Sequence, residues 1–164
     1  MDSISETKTT EGRVRDARAE DAGVLYELAC ELARAVGDVE PPQGAVRERL
    51  LELLEEPRAR VFVAELGCGV VGAASAWVKP DLAHGDRVVE VPMLVVSQEY
   101  RRRGFGRLLI EAVKELALAS GASLIELVAT KDNRSARNFY RTMGFVETEH
   151  VALEYVGDLR GTSS

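Results

Sequence analysis

Four arginines and two glycines lie within eight residues of a protein whose formal net charge is −6. The segment YRRRGFGRLL, residues 100–109, runs into an apolar pattern of helical period. The first N–H groups of a helix have no intrahelical partners and carry partial positive charge, and glycine opens the backbone to close approach. The segment therefore predicts a binding site for a diphosphate. Its residues are Arg101, Arg102, Arg103, Gly104, Phe105, Gly106 and Arg107.

The spacing around these glycines excludes two common nucleotide-binding motifs. A P-loop ends in Gly-Lys-Ser/Thr, whereas Gly106 is followed by Arg107 and Leu108. A Rossmann site has a third glycine where this chain has Leu109, and its glycines follow the strand directly. The remaining pattern is Arg-x-x-Gly-x-Gly at the start of an amphipathic helix.

This pattern resembles the acyl-CoA-binding signature of the GNAT superfamily of N-acetyltransferases. LVVSQEYRRRGFGRLLIEAV (94–113) is similar to the family's strand-loop-helix core, and NRSARNFYRTMGF (133–145) resembles its second signature. The resemblance extends over about residues 14–156. It implies an α/β fold with a mixed central sheet, splayed parallel strands and flanking helices. It also implies direct acetyl transfer from acetyl-CoA to a primary amine within a ternary complex.

The resemblance assigns the donor to an opening between two parallel strands, predicted at 88–96 and 123–129. Backbone groups of Leu94, Val95 and Val96 would meet the pantetheine arm. Pro92 cannot donate a ladder hydrogen bond, so it predicts an edge or a bulge at this point. Asn133 matches a cofactor-contacting asparagine of the family, and it is equally suited to cap the following helix.

Two residues are the candidates for proton transfer. Tyr140 occupies the position of the family's general-acid tyrosine, which protonates the thiolate leaving group, but it also fits an apolar helix stripe. Glu90 is the candidate base, because partial burial in an apolar strand would raise its pKa. Glu126 is its rival, an ordered water is a third option, and both carboxylates also suit an exposed sheet face.

The acceptor is expected from the loops at 37–44 and 79–87 and from the C-terminal strands. Acidic residues there predict a small cationic amine: Asp38, Glu40, Asp81 and Asp86. A protein N-terminus or lysine is an alternative acceptor, and a non-catalytic acyl-CoA sensor is an alternative function. His84 and His150 match no family position and are predicted to be surface residues.

Composition excludes several other classes. The acidic balance, with a pI near 5.1, argues against nucleic-acid binding, and no apolar run is long enough to span a membrane. Cys30 and Cys68 have no metal or redox spacing, which predicts reduced thiols in a cytoplasmic protein without a metal site. A homodimer is implied by the resemblance, since dimers are frequent in the family.

The hydrophobic periodicity along the chain predicts one domain, 13–157, between tails at 1–12 and 158–164. Strands are predicted at 14–17, 61–66, 70–78, 88–96 and 123–129, with one or two closing strands at 145–155. The apolar composition of 123–129 predicts that this strand is buried. Helices are predicted at about 20–36, 45–55, 104–120 and 134–143. The strands 61–66 and 70–78 should form an antiparallel hairpin, and 88–96 and 123–129 a parallel pair.

Overall fold

The computed structural model describes residues 12–67 and 69–161. Its strands are β1 (Arg13–Asp16), β2 (Ala59–Leu66), β3 (Gly69–Asp81), β4 (Asp86–Val96) and β5 (Leu124–Leu127). Its helices are α1 (Ala22–Val36), α2 (Ala45–Glu55), α3 (Phe105–Ala119) and α4 (Arg134–Thr142), with short 3-10 turns at Ala19–Asp21 and Gln98–Tyr100. These elements confirm the predicted helices and the first five predicted strands to within a few residues.

The strands form one five-stranded sheet in sequence order, β1-β2-β3-β4-β5. Neighbours from β1 to β4 pair antiparallel, and β4 pairs with β5 in parallel. Both the predicted hairpin and the predicted parallel pair are therefore confirmed. Since a parallel connection needs a crossover, α3 carries the chain from the end of β4 back to the start of β5.

The sheet lies between two helical layers, each with its own apolar core. On one face, α1 and α2 bury Leu25, Leu28 and Leu50 against the sheet. On the other face, α3 buries Leu109 and Val113. The helical spacing of these apolar residues creates the buried stripes, and the alternation of β2, β3 and β4 supplies apolar residues to both faces.

An ionic network attaches the edge strand β1 to the rest of the fold. Arg15 donates hydrogen bonds to both oxygens of Asp21 at 2.9 Å, and its Nε lies 2.9 Å from Glu65. Arg13 binds the other oxygen of Glu65. Hydrogen bonding to Arg15 holds the pKa of Asp21 below its usual range, and Arg15 and Arg13 do the same for Glu65.

Two predictions about the C-terminal part are wrong. The strand at 123–129 was expected to be buried, but β5 is an edge strand with Leu124 half-exposed, since no described strand covers its outer side. The segment 145–155, expected to form closing strands, contains no strand, and Leu153 is 90% exposed. A period of two shows only that a segment can form a strand, which then still needs a ladder partner.

Some predictions fall outside the described residues. These include most of the tail at 1–12, the last residues of the tail at 158–164, and Cys68. Cys30 is a buried free thiol. Within residues 12–67 and 69–161, no helix combines the length and the apolar composition that crossing a bilayer requires.

Candidate functional site

The parallel ladder between β4 and β5 is short. It runs from Val88 opposite Leu124 to Val91 opposite Leu127. Pro92 follows, at a point where the pairing of β4 with β3 also shifts register. This confirms the bulge predicted from Pro92, because a proline cannot donate to the ladder.

Beyond Pro92 the two strands separate. Leu94, Val95 and Val96 keep their partners in β3, but no described residue of β5 pairs with them. Their side chains pack into the cores on the two faces of the sheet, while one backbone edge has no partner among the described strands. Such an edge offers N–H and C=O groups to an extended ligand.

The glycine-containing loop follows the open edge along the chain, after the 3-10 turn at Gln98–Tyr100. Arg102 and Gly104 both have left-handed backbones, with φ of 64° and 88°. Gly104 is the N-cap of α3, no side chain caps this end, and the first turn contains no acidic residue. The first intrahelical bond runs from Leu108 N–H to the Gly104 carbonyl at 3.1 Å. The preceding amides, of Phe105, Gly106 and Arg107, therefore have no partner within the helix.

The arginines of this loop do not act as one group. The guanidinium of Arg101 donates from Nε to the Val96 carbonyl at 3.1 Å and lies 3.5 Å from Glu31. Arg103 lies over the ring of Tyr100, 5.4 Å from its centroid. Arg102 and Arg107 are exposed. Loop stability therefore depends on Arg101, whereas Arg102, Arg103 and Arg107 leave positive charge at the surface near the start of α3.

Gly106 has a second role that the sequence did not reveal. A Cβ at this position would lie 3.0 Å from Cζ of Phe139. The ring of Phe139 thus packs against the first turn of α3 and brings the second sequence signature next to the loop. Lys114 supports this contact by donating from Nζ to the Met143 carbonyl at 2.9 Å. Gly104, in contrast, has open space around it and is required for its positive φ.

Asn133 and Tyr140 lie at the start and near the end of α4. Asn133 caps this helix by accepting a hydrogen bond from Ala136 N–H at 3.1 Å. Tyr140 is half-buried in an aromatic cluster, with its ring centroid 5.4 Å from that of Phe139 and 5.8 Å from that of Phe145. Burial raises the pKa of the Tyr140 phenol, so the hydroxyl is protonated at neutral pH.

Glu90 lies in a row of three residues that crosses the sheet. It is opposite Trp77 of β3 and opposite Glu126 of β5, so the three side chains share one face. The side chain of Glu90 is 40% exposed and forms an ion pair with Lys79. Glu90 is therefore partly buried, as predicted, but it also has a cationic partner that the sequence did not indicate. Trp77 and Lys79 were missed because only the strand register brings them to Glu90.

Each acidic residue of the predicted rim has a partner, but only Glu40 is paired with an arginine, so the rim keeps negative charge. Glu40 pairs with Arg34 at 2.6 Å, and Asp81 pairs with His84 at 2.6 Å. Ser123 donates its hydroxyl to Asp86, and Asp38 accepts from the Val39 N–H at 2.8 Å. His84 and His150 are both exposed, as predicted.

Comparison with known proteins shows a family match over most of the fold. The acetyltransferase (GNAT) family matches residues 24–145. This range begins within α1 and ends just after α4. It includes the separated strands, the glycine-containing loop and Tyr140.

Individual relatives are more distant. The chain is 30% identical over 102 residues to N-acetyltransferase family 8 member 2 of Rattus norvegicus, covering 62% of this chain and 45% of that protein. It is 29% identical over 134 residues to an amino-acid acetyltransferase of Pseudomonas fluorescens, covering 82% and 27%. The chain thus spans less than half the length of these two curated relatives.

A solved structure shows the same fold. An aminoglycoside acetyltransferase from an uncultured soil metagenomic sample, in complex with sisomicin, aligns with a TM-score of 0.74. The alignment covers 90% of this chain and 97% of that chain at 22% sequence identity. At this identity the similarity concerns the fold alone.

Proposed function

Because the chain belongs to the acetyltransferase (GNAT) family, we propose that it is an N-acetyltransferase that uses acetyl-CoA to acetylate a small cationic amine. The observation that carries this proposal is the presence of two stretches of backbone that can bind a ligand, a strand edge and a helix N-terminus. The edge of β4 at Leu94–Val96 is unpaired toward β5, and the chain continues from it through the Gln98–Tyr100 turn and the glycine-containing loop to the uncapped N-terminus of α3. One elongated ligand with a diphosphate would satisfy both.

The residues at the start of α3 suit the diphosphate of coenzyme A. Amides of Phe105, Gly106 and Arg107 have no helical partner, and the helix dipole adds partial positive charge. Exposed guanidinium groups of Arg102 and Arg107 supply full charges beside them. Asn133 is also assigned to cofactor contact, in addition to its cap of α4.

When bound, the thioester would supply an activated acetyl group. The chain then has to stabilise the oxyanion, protonate the thiolate leaving group and remove a proton from the acceptor. An N–H group in Leu94–Val96 is suited to stabilise the oxyanion that forms as the amine nitrogen attacks the carbonyl carbon. The Tyr140 phenol is suited to give its proton to the sulfur as the C–S bond breaks. Burial raises the pKa of this phenol and makes it a weaker acid, so the transfer to a thiolate of ordinary pKa about 8.5 is uphill and depends on the negative charge that develops on the sulfur.

The acceptor must lose a proton before it attacks. The row of Trp77, Glu90 and Glu126 places two carboxylates on one face of the sheet, and either is suited to accept that proton. We assign the base to Glu90, acting through water, with Glu126 beside it as the rival. The Lys79–Glu90 ion pair indicates that this carboxylate accommodates a primary ammonium group. A small amine is in line with the names of two proteins described above, an amino-acid acetyltransferase and an aminoglycoside acetyltransferase.

The direct test is release of free thiol from acetyl-CoA in the presence of an amine panel. Tyr140→Phe should lower the turnover rate by about 10²–10⁴ with little change in the Kd for coenzyme A. Tyr155→Phe is the matched control, because Tyr155 is 76% exposed. A wild-type rate in the Tyr140 variant would remove this residue from the mechanism.

The amine panel also separates the alternatives. Binding of acetyl-CoA without turnover on any amine would favour a non-catalytic acyl-CoA sensor. Turnover on peptides alone would favour a protein N-terminal or lysine acetyltransferase. Homodimer formation and a cytoplasmic location remain predictions of the sequence.

A further inference from the structure

Glu31 of α1 belongs to none of the sites predicted from the sequence. Its Oε1 accepts a hydrogen bond from the Gln98 N–H at 2.7 Å and lies 3.5 Å from Nη2 of Arg101. Both partners are in the segment that connects β4 to the glycine-containing loop. One carboxylate thus joins a helix on one side of the sheet to the loop that opens α3.

The hydrogen bond to Gln98 satisfies an amide that the local backbone leaves open. Gln98 is the first residue of a 3-10 turn, and Ser97 before it makes no side-chain cap. Later amides bond within the turn, Tyr100 N–H to Ser97 and Arg101 N–H to Gln98. Glu31 therefore caps this turn from another element, with a negative charge at the end where charge is favourable.

Arg101 extends the contact to the end of β4. Its Nε donates to the Val96 carbonyl at 3.1 Å while its other side faces Glu31. The segment between Val96 and Arg101 is thereby held at both ends. We call Glu31, Gln98 and Arg101 the Glu31 clamp.

The clamp ends one residue before a strained position. Arg102 has φ of 64°, a left-handed conformation that is unfavourable for a side chain of this size. Such a conformation persists only where the surroundings hold it. Arg102 and Gly104 together turn the loop into α3, so a fixed point directly before them determines where the open amides point.

We propose that Glu31 is a positioning residue that holds the diphosphate-binding loop in its binding geometry through Gln98 and Arg101. Glu31 acts on the loop from α1 through its contacts with Gln98 and Arg101. The proposal rests on the proposed function for its link to coenzyme A. The contacts of the clamp lie within this chain, so they can be tested whether or not coenzyme A binds.

The test compares three variants. Glu31→Ala removes both contacts, whereas Glu31→Gln keeps an oxygen for the Gln98 N–H and loses the charge that faces Arg101. Glu27→Ala is the matched control, because Glu27 is exposed one turn earlier on the same helix. The measurements are amide hydrogen exchange by NMR, the Kd for coenzyme A by calorimetry, and separate kcat and KM values.

The expected pattern separates positioning from a general loss of stability. Glu31→Ala should speed exchange at Gln98 and raise the Kd for coenzyme A about tenfold, which corresponds to about 1.4 kcal/mol. Glu31→Gln should raise the Kd about two- to threefold, since it keeps the neutral hydrogen bond. At saturating acetyl-CoA, kcat should stay within about twofold of wild type. Glu27→Ala should match wild type in every measurement.

Each contrary outcome overturns a defined part. Unchanged exchange at Gln98 in Glu31→Ala would show that the clamp does not exist. Faster exchange with an unchanged Kd would disconnect the clamp from donor binding. Should the alanine variant fail to fold, Glu31→Gln decides, and a wild-type Kd there overturns the proposal. If wild-type protein binds no coenzyme A, the proposed function fails, while the exchange measurement still decides whether Glu31 holds the loop.

Discussion

Gly72 of β3 has no room for a side chain, and replacing it tests how tightly the end of β4 is packed against β3. A Cβ there would lie 2.9 Å from the Val95 carbonyl oxygen and 3.4 Å from Cδ1 of Leu109. The oxygen belongs to the backbone of β4 and cannot turn away, whereas the distance to Leu109 is close to an ordinary van der Waals contact. Gly72→Ala should therefore push the end of β4 away from β3.

The expected change in unfolding free energy is the cost of the clash less the gain from replacing a glycine. Forcing one extra carbon into a packed core costs about 1–3 kcal/mol of unfolding free energy. Replacing glycine also stabilises a protein by about 0.4–1 kcal/mol through the unfolded chain. Gly69→Ala in the same strand is the control, because its nearest atom is 3.9 Å away. Since both variants share the second effect, their difference should be about 1–3 kcal/mol.

Urea unfolding followed by circular dichroism measures this difference, and coenzyme A binding gives a second readout. Gly72 is opposite Val96, the last residue of β4 before the loop. A shift there should also raise the Kd for coenzyme A in Gly72→Ala alone. Equal unfolding free energies for the two variants, within about 0.5 kcal/mol, would refute the packing argument.

Three further predictions concern other parts of the fold. Gly106→Val should weaken coenzyme A binding in calorimetry, since the side chain would crowd the open amides and the ring of Phe139; an unchanged Kd would argue against this site. Arg15→Met should cost about 2 kcal/mol at pH 7, measured by urea unfolding, because it leaves Asp21 without its main partner. The lowered pKa of Asp21 contributes stability above the ordinary carboxyl pKa, so this cost should shrink as the pH falls below about 4, and a constant cost would contradict the assignment. Because burial raises its pKa, Tyr140 should ionise above the ordinary tyrosine pKa of about 10, as measured by tyrosinate absorbance in wild type and in Tyr140→Phe. The stability linked to this raised pKa should be lost as the pH rises above about 10 and through the pKa of the folded protein. Ionisation at or below a pH of about 10 would contradict the burial of Tyr140.

The point at which β4 separates from β5 could be predicted from one residue, Pro92. Pro92 lies within an apolar run and cannot donate a ladder hydrogen bond, which predicts a break at that point of the strand. The structure places the last parallel pair at Val91, directly before it. The direction in which the strands separate, and the loop that the opening faces, depend on how α3 packs.

The closing strands show the limit of period-based reasoning. Residues 145–155 alternate, but Glu147 is bound by Arg137 and Arg141 of α4, at 2.7 and 2.8 Å. These bonds hold the pKa of Glu147 at about 2. The contacts join residues that local alternation does not connect, and no pattern within the segment reveals them.

The sequence by itself determined the order of elements, the open N-terminus of α3 and the two signatures, because helical period, glycine position and proline geometry act over a few residues. Only the tertiary structure decided which side chains meet. It joined Glu31 to Gln98, Phe139 to Gly106 and Lys79 to Glu90. Hydrogen bonds, ion pairs and close packing depend on distances of a few ångströms between residues of different elements, and these distances exist only once the sheet has set its register and the helices have packed against it.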